Sequence, residues 1–160
     1  MIKTDELIKK YGDPTLDKMK FINSFMILWD IPNDINLKIP VLPNKIYINK
    51  DFAPILENVF RKLIEKNLHT EIKTYDGCFN IRKMRGSNKP SRHSWGIAID
   101  FNAFENPYKK VPKGYLTEYR KRFIKWSDAF LNVWREQGCE CGADWVSVVD
   151  GMHFEPKILP

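Results

Sequence analysis

Two of the chain's three histidines stand in company that can hold a metal. His93 lies in Ser91-Arg92-His93-Ser94-Trp95-Gly96-Ile97-Ala98-Ile99-Asp100, and His153 in Asp150-Gly151-Met152-His153-Phe154-Glu155. His93, Asp100 and His153 offer two imidazoles and a carboxylate, a donor set suited to a catalytic Zn²⁺ that keeps its fourth position open. Donor atoms about 2.0–2.2 Å from one ion must come within a few ångströms of each other. A straight strand from His93 to Asp100 would span roughly 23 Å and point the two side chains to opposite faces. A helix would set them on one face but roughly 10 Å apart. The chain must therefore bend, and Gly96 is the residue free to take the angles of a bend. His93 is expected from a loop and Asp100 from a strand. Taken singly, each residue has a plainer reading, as loop imidazole, strand-end carboxylate or core histidine. The third histidine, His69, follows a helix without such neighbours and is expected to be structural or solvent-facing.

The elements that would position these residues are short. Residues 4–11 read as a helix with Thr4 as N-cap and acids in its first turn. The stretch from Ile31 to Pro43, with three prolines, reads as an extended connector that could set an N-terminal arm (1–40) apart from a core at 45–157, within one domain of 1–160. Lys45–Ile48 is expected as a strand. Asp51 is expected to cap a helix to about Asn67, with Ile55, Val59 and Leu63 on its apolar face. Glu71–Tyr75 and Phe79–Ile81 read as strands, Arg82–Arg92 as a basic loop, and Gly96–Phe101 as a strand. Thr117 to Gln137 reads as one long helix ended by Gly138, its stripe of Tyr119, Phe123, Trp126, Phe130, Val133 and Trp134 being core packing. Trp145–Val149 and Met152–Phe154 are expected to pair as a hairpin about Asp150-Gly151. Helices and strands are segregated, which predicts an α+β fold with a small, mainly antiparallel sheet flanked by helices.

Composition bounds the function. The chain of 160 residues has no apolar run near the ~18 residues of a membrane span. The opening MIKTDELIKKYGD has no apolar stretch, so a secretory signal peptide is not expected and folding in a reducing cytoplasm is. Three cysteines (Cys78, Cys139, Cys141) make a poor disulfide framework. Cys139 and Cys141 could be half of a thiolate metal site, but no second pair stands at the needed spacing, and reduced thiols near a turn are expected. The net charge of +6 favours an anionic partner. The basic run Arg82–Arg92 is the sole further hint of nucleic acid, and no recognised DNA- or RNA-binding motif accompanies it.

The joint pattern Ser-x-His-x-x-Gly-x-Ala-x-Asp and, about fifty residues on, Asp-x-x-His-Phe-Glu resembles the zinc peptidases of bacterial cell walls. These are the VanY-type D-alanyl-D-alanine carboxypeptidases and the phage endolysins that act as L-alanyl-D-glutamate peptidases, with a hedgehog-like fold. The block Cys78-Phe79-Asn80-Ile81-Arg82-x-x-x-Gly86-Ser87 resembles the family's Arg-containing lead-in, and Asp144-Trp145 extends the likeness. The resemblance implies His93, Asp100 and His153 as ligands of one catalytic Zn²⁺. It implies Asp150 as general base, where many relatives have Glu, Arg82 as a clamp for a substrate carboxylate, and Ser91 as an aid in holding substrate. Lys83 and Arg85 stand close enough to serve in Arg82's place, and Ser91 also reads as a turn residue. The expected function is zinc-dependent hydrolysis of a peptidoglycan stem-peptide amide by a monomer, foremost the L-Ala–D-Glu bond. D-alanyl-D-alanine carboxypeptidase or dipeptidase activity is the alternative, and a zinc-stabilised wall-binding module without catalysis a third reading. A lysin without a signal peptide would reach the wall after holin-type release or from a virion.

Overall fold

The computed structural model describes residues 2–84 and 86–159. Its elements in chain order are α1 (Thr4–Tyr11), α2 (Lys18–Phe25), β1 (Met26–Asp30), α3 (Asn33–Lys38), β2 (Lys45–Asn49), α4 (Ala53–Glu65), β3 (Tyr75–Gly77), β4 (Ile99–Phe101), β5 (Tyr108–Lys110), α5 (Leu116–Phe123), α6 (Asp128–Glu136), β6 (Cys139–Cys141), β7 (Val148–Asp150) and β8 (His153–Pro156). The class is α+β with small antiparallel sheets, as the segregated pattern predicts. Four strands form the central sheet in the order β3-β4-β8-β6, while β1 pairs with β2 and β5 with β7. None of the described helices is long and apolar enough to cross a membrane.

Several sequence expectations need correction. The segment 31–43 is not an extended connector: it contains α3, whose Ile35 is buried. Residues before 40 are part of the main core, since Ile2, Leu7, Tyr11, Phe21 and Ile31 pack in one apolar cluster with Leu56, Trp95 and Phe154. Neither expected cap acts as one. Thr4 lies inside α1, preceded by Lys3, whose N–H donates to Glu6 Oε2. Asp51 instead accepts from the Tyr11 hydroxyl at 2.9 Å and pairs with Lys10, while α4 begins after Phe52. Residues 69–71 form a 3₁₀ turn and the strand starts only at Tyr75; residues 79–81 are in no strand.

The long helix expected over 117–137 is two helices. Ser127 breaks it: its hydroxyl accepts from the Phe130 N–H and donates to Glu71, capping α6 afresh. The aromatic stripe divides accordingly. Trp126, Phe130, Val133 and Trp134 are buried, whereas Tyr119 and Phe123 on α5 are only half-buried. The expected hairpin about Asp150-Gly151 is also absent. The two strands part there, β7 joining β5 and β8 entering the central sheet between β4 and β6. Cys139 and Cys141 are free thiols in β6, set between the turn at Gln137-Gly138 and the 3₁₀ turn of Gly142–Asp144, as expected.

Candidate metal centre and cleft

The site begins with a strand register. Asp100 of β4 lies directly opposite His153 of β8, so both side chains leave the sheet on one face, while the neighbouring pair Ile99 and Phe154 turns into the core. Phe154 stacks on Trp134 with ring centroids 4.2 Å apart, which holds β8 against α6. His93 comes from a different place, a 3₁₀ turn of Arg92–Trp95. That turn ends at Gly96 in the left-handed region, with φ of 63°, the bend that the spacing of His93 and Asp100 demands. A side chain at Gly96 would also collide with Met26 and the Asn49 backbone nitrogen.

The turn is clasped from behind by residues far away in sequence. Trp95, fully buried, donates from Nε1 to the Gly12 carbonyl at 2.9 Å. Asn49 donates from Nδ2 to the Trp95 carbonyl and from its backbone N–H to the Gly96 carbonyl. The turn before β8 is held as firmly. Trp126 Nε1 donates to the Gly151 carbonyl at 2.6 Å, and the Met152 N–H to the Asn106 carbonyl. Gly151 lacks a side chain where Ile124 and Asn106 close in, and Gly142 lacks one where the Asp150 carbonyl does.

These supports bring His93, Asp100 and His153 together, with one donor atom from each within 4.8 Å of the others. His93 Nε2 lies 3.3 Å from Asp100 Oδ2, and His153 Nδ1 lies 3.1 Å from Asp100 Oδ1. Tetrahedral donors about 2.1 Å from an ion are about 3.4 Å apart, a separation close to both histidine–carboxylate distances. The second ring nitrogens fit as well. His93 Nδ1 faces the Cys78 carbonyl at 2.8 Å, and His153 Nε2 faces Glu155 Oε2 at 2.9 Å. A proton held at each of these contacts leaves Nε2 of His93 and Nδ1 of His153 as lone-pair donors toward Asp100.

The electrostatics are those of a buried, compensated cluster. Burial alone would raise the Asp100 carboxyl, but hydrogen bonds and charge from His153 and His93 hold it well below the carboxylate range. Burial would lower His153, yet Asp100 and Glu155 on either side push it up to about 10. A divalent cation in the cluster takes the place of that proton. Glu155 is itself almost fully buried and kept ionised, against the cost of burial, by His153 and Arg92. Arg92 sits 3.4 Å from Glu155 Oε1 and donates onward to the Ile2 carbonyl and Thr4 Oγ1.

A cleft of about 640 Å³ opens over the cluster. Arg82, Ser91, His93, Asp100, Asp150 and His153 all line it. Asp150 stands at the end of β7 opposite Tyr108 of β5. Arg82 is exposed, and Ser91 is buried, its N–H donating to the Arg82 carbonyl. Lys83, the alternative clamp, does not line the cleft, and Arg85 lies outside the described residues. His69 is also elsewhere, in its 3₁₀ turn. The far wall is apolar, with Tyr108, Trp145, Val146 and Val148, and Trp145 packs 5.4 Å from the His153 ring.

Sequence reasoning passed over three supports of the site. Glu155 was discoverable, because a residue two positions from His153 on a strand shares its face. Arg92 has no signal beyond its place beside a ligand. The Cys78 carbonyl has none at all, being backbone. The cysteines are all free and buried, and burial pushes the Cys139 thiol up to about 12. Neither Cys139 nor Cys141 belongs to a metal-holding group among the described residues.

A family model described as D-alanyl-D-alanine carboxypeptidase matches residues 85–156. The matched stretch contains Ser91, the three candidate ligands and Asp150, and ends short of Arg82 on the N-terminal side. No curated protein and no solved structure matches the chain. The match bears out the resemblance to the VanY-type peptidases over that stretch.

Proposed function

From a chain that resembles VanY-type peptidases across its ligand-bearing stretch, we propose a zinc-dependent enzyme that hydrolyses a stem-peptide amide of peptidoglycan, foremost the bond between L-Ala and D-Glu. The observation that carries this reading is convergence: a metal-holding triad, an acid, a hydroxyl and an exposed guanidinium all face one cleft. Zinc held by His93, Asp100 and His153 would supply an activated water and a Lewis acid for the scissile carbonyl. Asp150 takes the proton of the attacking water and returns it to the leaving amine. Arg82 presents paired N–H donors to a carboxylate, a group that stem peptides carry on D-Glu, on diaminopimelate and at the D-Ala terminus. Ser91 beside it holds a polar group of the substrate. The apolar wall of Tyr108, Trp145 and Val148 seats the peptide's aliphatic portions and keeps the site dry.

The endopeptidase specificity rests on the likeness of this small Lys-, Asn- and Ile-rich chain to phage lysins, and it carries with it action as a monomer on the wall after holin-type release or from a virion. The description of the matched family favours a second reading, removal of a terminal D-Ala, in which Arg82 would grip the terminal carboxylate. Mass spectrometry of muropeptides digested with and without chelator separates the two. A new amino terminus at D-Glu supports the first, loss of D-Ala the second, and release unaffected by chelator refutes both. Asp150→Asn should keep zinc and abolish release; undiminished lysis by that variant would sink the general-base role. Walls bound without any soluble fragment released by the native protein would mark a binding module instead.

A further inference from the structure

The net charge of +6 is not spread over the molecule. Residues 108–125 hold seven cations (Lys109, Lys110, Lys113, Arg120, Lys121, Arg122 and Lys125) against the single acid Glu118. The rest of the chain carries 19 cations and 19 acids, so this one segment of β5, α5 and their flanks accounts for the whole excess. Arg120 is engaged in structure, donating to the carbonyls of Ala143 and Asp144. The other six cations are exposed, and none forms an ion pair among the described residues.

Two of them are held in an arrangement that wants an anion. Lys109 Nζ lies 5.2 Å and the Arg122 guanidinium 5.1 Å from the centroid of the same Phe123 ring. With Lys125 and Lys73 they line a second cleft, of about 600 Å³. The acids in its lining are already engaged, Glu105 by Lys73 and Glu71 by Ser127. Like charges gathered on one surface repel, and a bound polyanion relieves that repulsion. The segment is also continuous with the candidate active site. β5 is hydrogen-bonded to β7, which ends on Asp150, and Tyr108 lines the cleft over His93, Asp100 and His153.

We propose that the segment 108–125 is a docking surface for an anionic cell-wall polymer with a phosphodiester backbone, holding the chain on the wall with its metal cleft beside the stem peptides. The choice of partner rests on the peptidoglycan reading above. Successive phosphates would lie along Lys109, Arg122 and Lys125, with Lys110, Lys113 and Lys121 extending the track.

The test is co-sedimentation of the full-length Asp150→Asn protein with purified walls, intact or stripped of phosphodiester polymer by hydrofluoric acid, across a salt series. Intact walls should bind at least about tenfold more tightly than stripped walls, with the difference vanishing at high salt. Reversing Lys110, Lys113 and Lys121 to Glu should remove that advantage, while the same triple change in the otherwise native chain cleaves a small soluble stem peptide at the native rate. Equal binding to stripped walls, or full binding by the triple variant, overturns the proposal. Tighter binding to duplex DNA than to intact walls at one ionic strength overturns it in favour of a nucleic-acid surface. Failure of the native chain to cleave the soluble peptide would count against the peptidase reading alone, since sedimentation needs no cleavage.

Discussion

A histidine ligand is defined as much by the nitrogen that does not face the metal as by the one that does. For His153 that second contact is a buried carboxylate, Glu155, which Arg92 in turn holds. Glu155 thus fixes which nitrogen of His153 points at Asp100 and adds basicity to it. Replacing it with Gln keeps the shape and lets the ring choose either orientation. Glu155→Gln is therefore expected to fold, by circular dichroism, yet to bind zinc 10–100-fold more weakly in a competition titration with a chelating dye, on the order expected for such a partner. Unchanged zinc affinity would show that Glu155 serves only to pair Arg92. At this scale the sequence was informative where side chains act and silent where backbone does. His93, Asp100 and His153 could be picked out because their residue types and joint spacing are uncommon. Nothing in the residue types announces that the Cys78 carbonyl, and not its thiol, is what faces His93.

Elements place these residues through two features, a register and a bend. The Asp100–His153 register follows from burial. Sliding β8 by one residue would send Phe154 into the cleft and His153 into the packing of Trp134 and Phe101. The bend follows from Gly96, whose need was legible from geometry alone, although its contacts with Met26 and Asn49 were not. A left-handed backbone costs about 1–2 kcal/mol for an L-residue, and overpacking against Met26 adds to it. Gly96→Ala is accordingly expected to lose at least about 2 kcal/mol in urea unfolding and to weaken zinc binding, because His93 moves with the turn. A stability change without any change in zinc affinity would mean that the turn absorbs the strain without moving the ligand. The elements misread from sequence share a physical cause. Periodicity continues through residues 117–137, but it cannot see Glu71 arriving from elsewhere to bind Ser127 and stop the helix. Asp-Gly is a strong turn signal, and a turn does form there. Whether its flanking strands pair is decided by β5 and β4, which offer each a different partner.

At the level of the whole molecule, the candidate metal centre joins parts of the chain that fold around separate supports. The His93 turn is held by Gly12, Asn49 and, through Arg92, by Ile2 and Thr4. Asp100 and His153 belong to the central sheet, backed by α6. The N-terminal residues, unmarked by any motif, are thus the rear wall of the candidate site. Their role was illegible because it lies in tertiary contacts of common residue types. An ion bound by all three ligands links the two halves in the native state and has no such site in the unfolded chain, so its binding energy adds to folding. At free zinc a thousandfold above the dissociation constant, that linkage amounts to about 4 kcal/mol. For a chain of this size it corresponds to roughly 10 °C in the thermal midpoint. Scanning calorimetry of the zinc-loaded protein, with and without chelator, should show a fall of that order, reversed by adding zinc back. Asp100→Asn removes the carboxylate that bridges the two histidines, and its midpoint should be nearly indifferent to chelator. A native midpoint equally indifferent would mean that His93, Asp100 and His153 form a proton-sharing cluster and hold no metal.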